Sequence, residues 1–160
     1  MTAAITSVQL DWAMKDGLVI VTPRDQDRFI FIVRRAIEIL QQAEQAEKFE
    51  RQFNMLLRVL AEWLKDRTDI RRAFLTDRDG ALAFVVVRNS CTYDDDFEDA
   101  LSEIDFQIAN DPDLDLIKMD AIALPSASES AVSAFLDPDF VLEYDHAKRN
   151  GSHLAGEQES

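Results

Sequence analysis

The chain has 160 residues, 47% of them hydrophobic, and its 31 acidic against 17 basic residues give a formal net charge of −14. This length and apolar content suffice for one domain with a core of its own, and they exclude a disordered chain. The negative charge repels nucleic acid and anionic membranes, so we expect no direct nucleic-acid partner.

Cysteine usage and hydropathy indicate the compartment. Cys91 is the only cysteine, so an internal disulfide is impossible and a reducing compartment is favoured. The beginning of the chain lacks the basic and apolar regions of a signal peptide, and no apolar run approaches the roughly 18 to 20 residues of a membrane span. We therefore expect a cytoplasmic protein that makes no membrane contact.

The N-terminal region contains two short apolar stretches, 5–12 and 18–22, separated by an Asp-Gly turn. The pattern predicts either a hairpin or a single strand, for which 18–22 is the better candidate. A helix start follows, with Thr22 as the expected N-cap and Pro23 as the first helical residue.

A long helical region extends over 25–67, where no Gly or Pro interrupts the chain and apolar residues recur every three or four positions. The bulky residues at 29–33 also fit a strand. One helix of about 40 residues would be about 60 Å long, whereas a domain of this size has a radius of gyration of about 15 Å. The helix therefore either breaks into an antiparallel pair or projects and pairs with another copy. We favour a break at 41–48, because the apolar seam there advances in three-residue steps.

The C-terminal half predicts a hairpin followed by a crossover. Apolar runs on both sides of an Asp-Gly turn are typical of a hairpin. An amphipathic segment with Thr92 as its expected N-cap separates this hairpin from a further strand, and that order favours parallel pairing. The predicted elements are strands at 70–75, 81–87 and 115–123, helices at 94–109 and 127–136, and a last edge strand at 140–142.

Together these elements predict an α+β fold. A small mixed β-sheet, made of the hairpin and the crossover strand, packs in two layers against a long amphipathic helix or a helical pair. Residues 1–145 are expected to form this single domain, and 146–160 a polar, disordered tail.

Acidic clusters are the groups that most resemble a metal or acid–base site. The cluster at 94–99 begins a helix, where the helix dipole stabilises carboxylates. The alternating carboxylates of 111–115 have the spacing of a calcium loop, but Leu116 and Ile122 stand where such a loop needs Gly and Glu. We therefore predict no catalytic residue, no metal site and no cofactor.

The apolar seam of the helical region is the candidate interface, because it is longer than a small domain readily hides. Four arginines near it form either a solvated outer face or a patch that receives an acidic partner: Arg34, Arg35, Arg51 and Arg58. The predicted interface residues are Phe49, Phe53, Leu56, Leu60, Trp63, Arg51 and Arg58.

These features predict a non-catalytic protein-interaction or adaptor domain that self-associates as a homodimer. Carboxylate abundance supports an alternative, a divalent-metal-dependent hydrolase that uses Asp residues around 77–79 and 111–115. The charge of −14 supports another, an acidic inhibitor or nucleic-acid mimic.

Overall fold

The chain folds around one mixed β-sheet that carries helices, which confirms the α+β class. The computed structural model describes residues 7–145, so the expected tail at 146–160 lies outside it. The strands are β1 (Val8–Lys15), β2 (Leu18–Pro23), β3 (Ile70–Arg78), β4 (Ala81–Arg88), β5 (Met119–Leu124) and β6 (Leu142–Tyr144). The helices are α1 (Gln26–Ile39), α2 (Ala46–Leu64), α3 (Asp95–Ala109) and α4 (Glu129–Ser133). The strands lie in the spatial order β2-β1-β6-β3-β4-β5.

The sheet buries side chains on both faces, since successive residues of a strand point to opposite sides. On one face, Leu75 and Phe84 join the buried sides of α1, α2 and α3 in the main core. On the other face, Phe74 and Val85 pack with Val132 of α4 in a smaller core. The long helices therefore form a layer on one face of the sheet.

Both predicted Asp-Gly turns close two-residue hairpins. Asp16 and Gly17 have φ angles of 55° and 79°, and Asp79 and Gly80 have φ angles of 53° and 82°. Two consecutive positive φ values are typical of the type I′ turn, whose twist matches that of the flanking strands. β1 and β2 pair as a hairpin, so the N-terminal region is a hairpin and not a single strand. The predicted second hairpin, β3 with β4, is confirmed.

The long helical region breaks where the seam predicted a break. α1 ends at Ile39, Gln41 adopts a left-handed φ of 56°, and a short 3₁₀ turn precedes α2. The segment 29–33 is helical. The rings of Phe29 and Phe53 lie 6.1 Å apart, so the two helices share one core.

Two predicted helix caps are wrong. Asp25 caps α1 by accepting a hydrogen bond from the backbone N–H of Arg28 at 3.1 Å, and Thr22 lies in β2, which continues through Pro23. Asp94, two positions after the predicted Thr92, caps α3. In both places a carboxylate accepts the free N–H groups of the first turn, where the helix dipole also favours its charge.

The last strand is not at an edge as predicted. β6 lies inside the sheet, parallel to β1 and antiparallel to β3. Its position is favoured by burial: the hydroxyl of Tyr144 donates to the carbonyl oxygen of Leu57 at 2.6 Å, and its ring meets Trp12 edge-on.

The crossover is confirmed, because β5 pairs parallel to β4. The predicted ranges of the crossover strand, 115–123, and of the following helix, 127–136, are too wide. A 3₁₀ turn at Pro112–Leu114 delays the start of β5 to Met119, and α4 ends at Ser133. The backbone groups just before β5 are engaged instead by Gln52 of α2, whose side-chain oxygen accepts the N–H of Leu116 at 2.8 Å.

Phe53 offers a test of the core, because it is fully buried and its ring also stacks on Phe49. We expect Phe53→Ala to lower the free energy of unfolding by about 3–5 kcal/mol, since it removes buried area and leaves a cavity. Arg51→Ala, at an exposed position of the same helix, should change it by less than about 0.5 kcal/mol. Urea denaturation measures both values, and equal stability of the two variants would contradict a core role for this seam.

Candidate functional site

The outward side of α1 carries an arginine-rich surface. The inward side buries Phe29, Ile32, Val33 and Ala36 in the main core. Arg28, Phe31, Arg34 and Arg35 follow each other at helical spacing on the other side. The Phe31 side chain is 69% exposed, although phenylalanine is among the residues most often buried.

A pocket of about 540 Å³ lies on this surface. Its volume falls within the usual range of ligand sites, about 300–1,000 Å³. Three guanidinium groups outnumber two carboxylates in its lining, so the pocket has a local positive excess on a chain of net charge −14. The lining residues are Arg28, Phe31, Ile32, Arg34, Arg35, Glu38 and Asp139.

The wall opposite α1 comes from the loop before β6, which is fixed to β3 by one buried hydroxyl. Thr76 donates to the carbonyl oxygen of Phe140 at 2.6 Å and accepts from the backbone N–H of Asp137 at 3.0 Å. The carboxylate of Asp137 accepts from the N–H of Asp139 at 2.9 Å and lies 3.5 Å from the guanidinium of Arg35. These contacts hold Asp139 beside α1.

The carboxyl groups of Asp77 on β3 and Asp137 on the loop interact with each other close to Arg35. Burial, together with the hydrogen bond to Asp137 and the charge of Asp137, raises the pKa of Asp77 to about 7, although the nearby Arg35 acts in the opposite direction. The hydrogen bond from Asp77 lowers the pKa of Asp137. The pair therefore holds one proton up to near-neutral pH, because two adjacent carboxylates do not readily both ionise. Loss of that proton adds a negative charge close to Arg35.

The predicted interface residues do not form one surface. Phe49, Phe53, Leu56 and Leu60 are buried in the main core of the folded chain, where no partner can reach them. Trp63 is partly buried and packs edge-on against two phenylalanine rings, with Arg67 stacked over it. The two predicted interface residues that are exposed are Arg51 and Arg58.

The arginines named from the sequence divide between two helices. Arg34 and Arg35 line the pocket, whereas Arg51 and Arg58 lie on α2. Sequence reasoning missed Phe31 as a site residue, although its spacing from Arg34 and Arg35 places it on the same side of a helix. No local pattern indicated that the loop carrying Asp137 and Asp139 would meet α1.

The acidic clusters have structural roles where the structure describes them. Asp94 caps α3, Asp111 accepts from the N–H of Asp113 at 2.8 Å, and Asp115 accepts from the side chain of Gln52 at 2.7 Å. Between residues 7 and 145, no group of three or more His, Cys, Asp or Glu residues could hold a metal ion. None of the helices in this range has the length and apolar character needed to cross a membrane.

The pKa of Asp77 makes stability depend on pH. The folded chain keeps this proton up to about pH 7, whereas an ordinary Asp releases it near pH 3.8, so unfolding becomes easier as pH rises through that window. Asp77→Asn lacks the titration but can still donate a hydrogen bond to Asp137. We expect its stability relative to the wild type to increase between about pH 4 and about pH 7 and to stay level above that. Urea denaturation at a series of pH values measures this difference.

Asp79→Asn is the matched control for that titration, because it removes a carboxylate from the exposed turn of the same hairpin. Its stability difference from the wild type should not follow the same pH profile. A difference between Asp77→Asn and the wild type that stays constant over the whole range would refute the shared proton.

A comparison with protein-family models, with curated proteins and with solved structures found no match to this chain.

Proposed function

We propose that this chain is a non-catalytic protein-interaction domain whose α1 pocket binds an acidic segment of a protein partner. The observation that carries the proposal is the exposed Phe31 set among Arg28, Arg34 and Arg35 on an otherwise acidic protein. Such a combination favours a ligand that has both carboxylates and an apolar side chain.

The chemistry of the side chains supports an acidic ligand. A guanidinium group binds a carboxylate through two parallel hydrogen bonds, which gives direction as well as energy. Arg34 and Arg35 are exposed, so a partner reaches both without first removing them from the core. Arg35 is also positioned by Asp137, which limits the freedom it would lose on binding.

The exposed ring of Phe31 favours a protein segment as the ligand over a small anion. Exposed aromatic residues are enriched at protein interfaces, where one ring fills a partner's apolar pocket or covers its apolar side chain. A nucleic acid also carries negative charge, but a chain of −14 repels a long polyanion beyond the pocket itself. A short acidic segment contacts only the arginine surface and avoids most of that repulsion.

The proposal includes a setting for this domain. A single cysteine, Cys91, which is exposed and free, fits the cytoplasm, where thiols remain reduced. A domain that binds one partner through α1 serves as an adaptor when it also binds a second protein. We include self-association as a homodimer in this proposal.

A selection from a random peptide library on the full chain tests the pocket. We expect enriched peptides to combine several Asp or Glu residues with an apolar residue. Phe31→Ala and Arg34→Glu should each weaken binding of an enriched peptide about tenfold or more, because interface aromatic and arginine residues carry much of the binding energy. Fluorescence polarisation with the labelled peptide measures the affinity.

Arg51→Glu is the matched control, because it makes the same charge reversal on the exposed side of α2. It should leave the affinity close to that of the wild type. The proposal fails if the library yields no enriched peptide, if the enriched peptides are not acidic, or if all three variants bind alike. Binding should also weaken as pH rises through about 7, because ionised Asp77 then competes for Arg35.

A further inference from the structure

The outer strand of the first hairpin is an apolar sheet edge. β2 lies at one end of the sheet and pairs with β1. No residue of β2 is charged, and its side chains Leu18 and Ile20 are 60% and 42% exposed. Edge strands in stable proteins are usually protected by charges, bulges or proline, and here the protection is Pro23 at the end of the strand. By contrast, β5 at the other edge carries Asp120.

The backbone of β2 has hydrogen-bonding groups that point away from β1. In a two-residue hairpin the flanking pair, Lys15 with Leu18, exchanges hydrogen bonds, and such pairs then alternate with non-bonded pairs. The N–H of Arg24 donates to the carbonyl oxygen of Gln9 at 2.8 Å, which agrees with this alternation. The N–H and C=O groups of Val19 and Val21 consequently face outward.

We propose that β2 pairs antiparallel with β2 of a second copy of this chain, about a two-fold axis that passes beside Ile20 perpendicular to the sheet. In this register the backbone N–H and C=O groups of Val19 in each copy form hydrogen bonds with those of Val21 in the other copy. The outward N–H groups of both residues are thus satisfied. A register centred on Val21 would place Val19 opposite Pro23, which has no N–H to donate. The centre at Ile20 is therefore favoured.

Side chains on the open face of the sheet support the same register. Ile20 of one copy lies directly opposite Ile20 of the other, in a non-hydrogen-bonded pair with about 4.5 Å between the Cα atoms. Leu18 lies opposite Thr22. Pairing thus covers the two exposed apolar side chains of the strand, and cross-strand contacts between branched residues stabilise a sheet.

The helical face of the sheet contributes a second contact. A groove beside β2 is lined by Leu18 and Val19 of this strand and by Met55, Arg58, Val59 and Glu62 of α2. A two-fold axis places α2 antiparallel to its copy across this groove, so that Arg58 of each copy can pair with Glu62 of the other. The groove is thus complementary in charge to its own copy, which favours a second copy over another extended strand.

The mass of the full chain in solution tests the pairing. Light scattering should give twice 18.2 kDa for the wild type and 18.2 kDa for Ile20→Lys, because the substitution places two ammonium groups opposite each other at the axis. Ile30→Lys is the matched control, since Ile30 is exposed to a similar degree on α1, and it should remain a dimer. A wild type that is a monomer at low and high concentration, or a dimeric Ile20→Lys, overturns the proposal.

Disulfide trapping tests the register without relying on a variant that weakens association. In a Cys91→Ser background, Ile20→Cys should form a covalent dimer under mild oxidation, because the two Cα atoms lie within the range that a disulfide spans. Leu18→Cys should not form a covalent dimer, because residue 18 of the second copy lies on the far side of the two-fold axis, opposite Thr22. Crosslinking of Leu18→Cys alone, or of neither, overturns the register. The pairing deepens the self-association that is part of the proposed function. Peptide binding at the α1 pocket should persist in Ile20→Lys, so a failed pairing is distinguishable from a failure of peptide binding.

Discussion

The rest of the structure depends on the pairing of the three-residue strand β6 with its two neighbours in the sheet. This strand joins two hairpins that do not pair with each other, parallel to β1 on one side and antiparallel to β3 on the other. Its side chains are anchored in the main core, where the buried Tyr144 hydroxyl reaches the backbone of α2. The loop that leads into it supplies Asp137 and Asp139, so the insertion of β6 also sets one wall of the α1 pocket.

Local patterns predicted the elements of this fold better than their arrangement. Each Asp-Gly pair fixes a hairpin through the positive φ angles that it tolerates, and the period of apolar residues identifies α2 and α3 without reference to the remainder of the chain. The place of β6 follows from a parallel contact with β1, more than 130 residues away in sequence. Nothing in three residues specifies such a neighbour, so the apolar run before the polar tail predicted only a last edge strand.

The difference between local patterns and contacts across the chain also explains which parts of the α1 pocket and of the predicted seam interface could be predicted from the sequence. The spacing of Arg34 and Arg35 placed them together, but the partner loop at 137–139 comes from far along the chain. The seam through Phe53 and Leu60 was interpreted as an interface because one helix of that length exceeds a small domain. The left-handed Gln41 divides it into two helices that the sheet can cover, and the large apolar residues left exposed in the described part of the chain include Leu18 and Ile20 of β2 and Phe31 of α1.

The two proposed surfaces together have a further consequence. A two-fold axis perpendicular to the sheet places the helical layers of both copies on the same side, and the pocket on α1 belongs to that layer. A dimer would then present two arginine pockets in one direction at a fixed separation. A partner with two acidic segments would bind the second pocket at a high effective concentration, so that modest affinity at each pocket suffices for stable binding. In this arrangement the apolar edge determines how many pockets act together, and the charged helix determines what they bind.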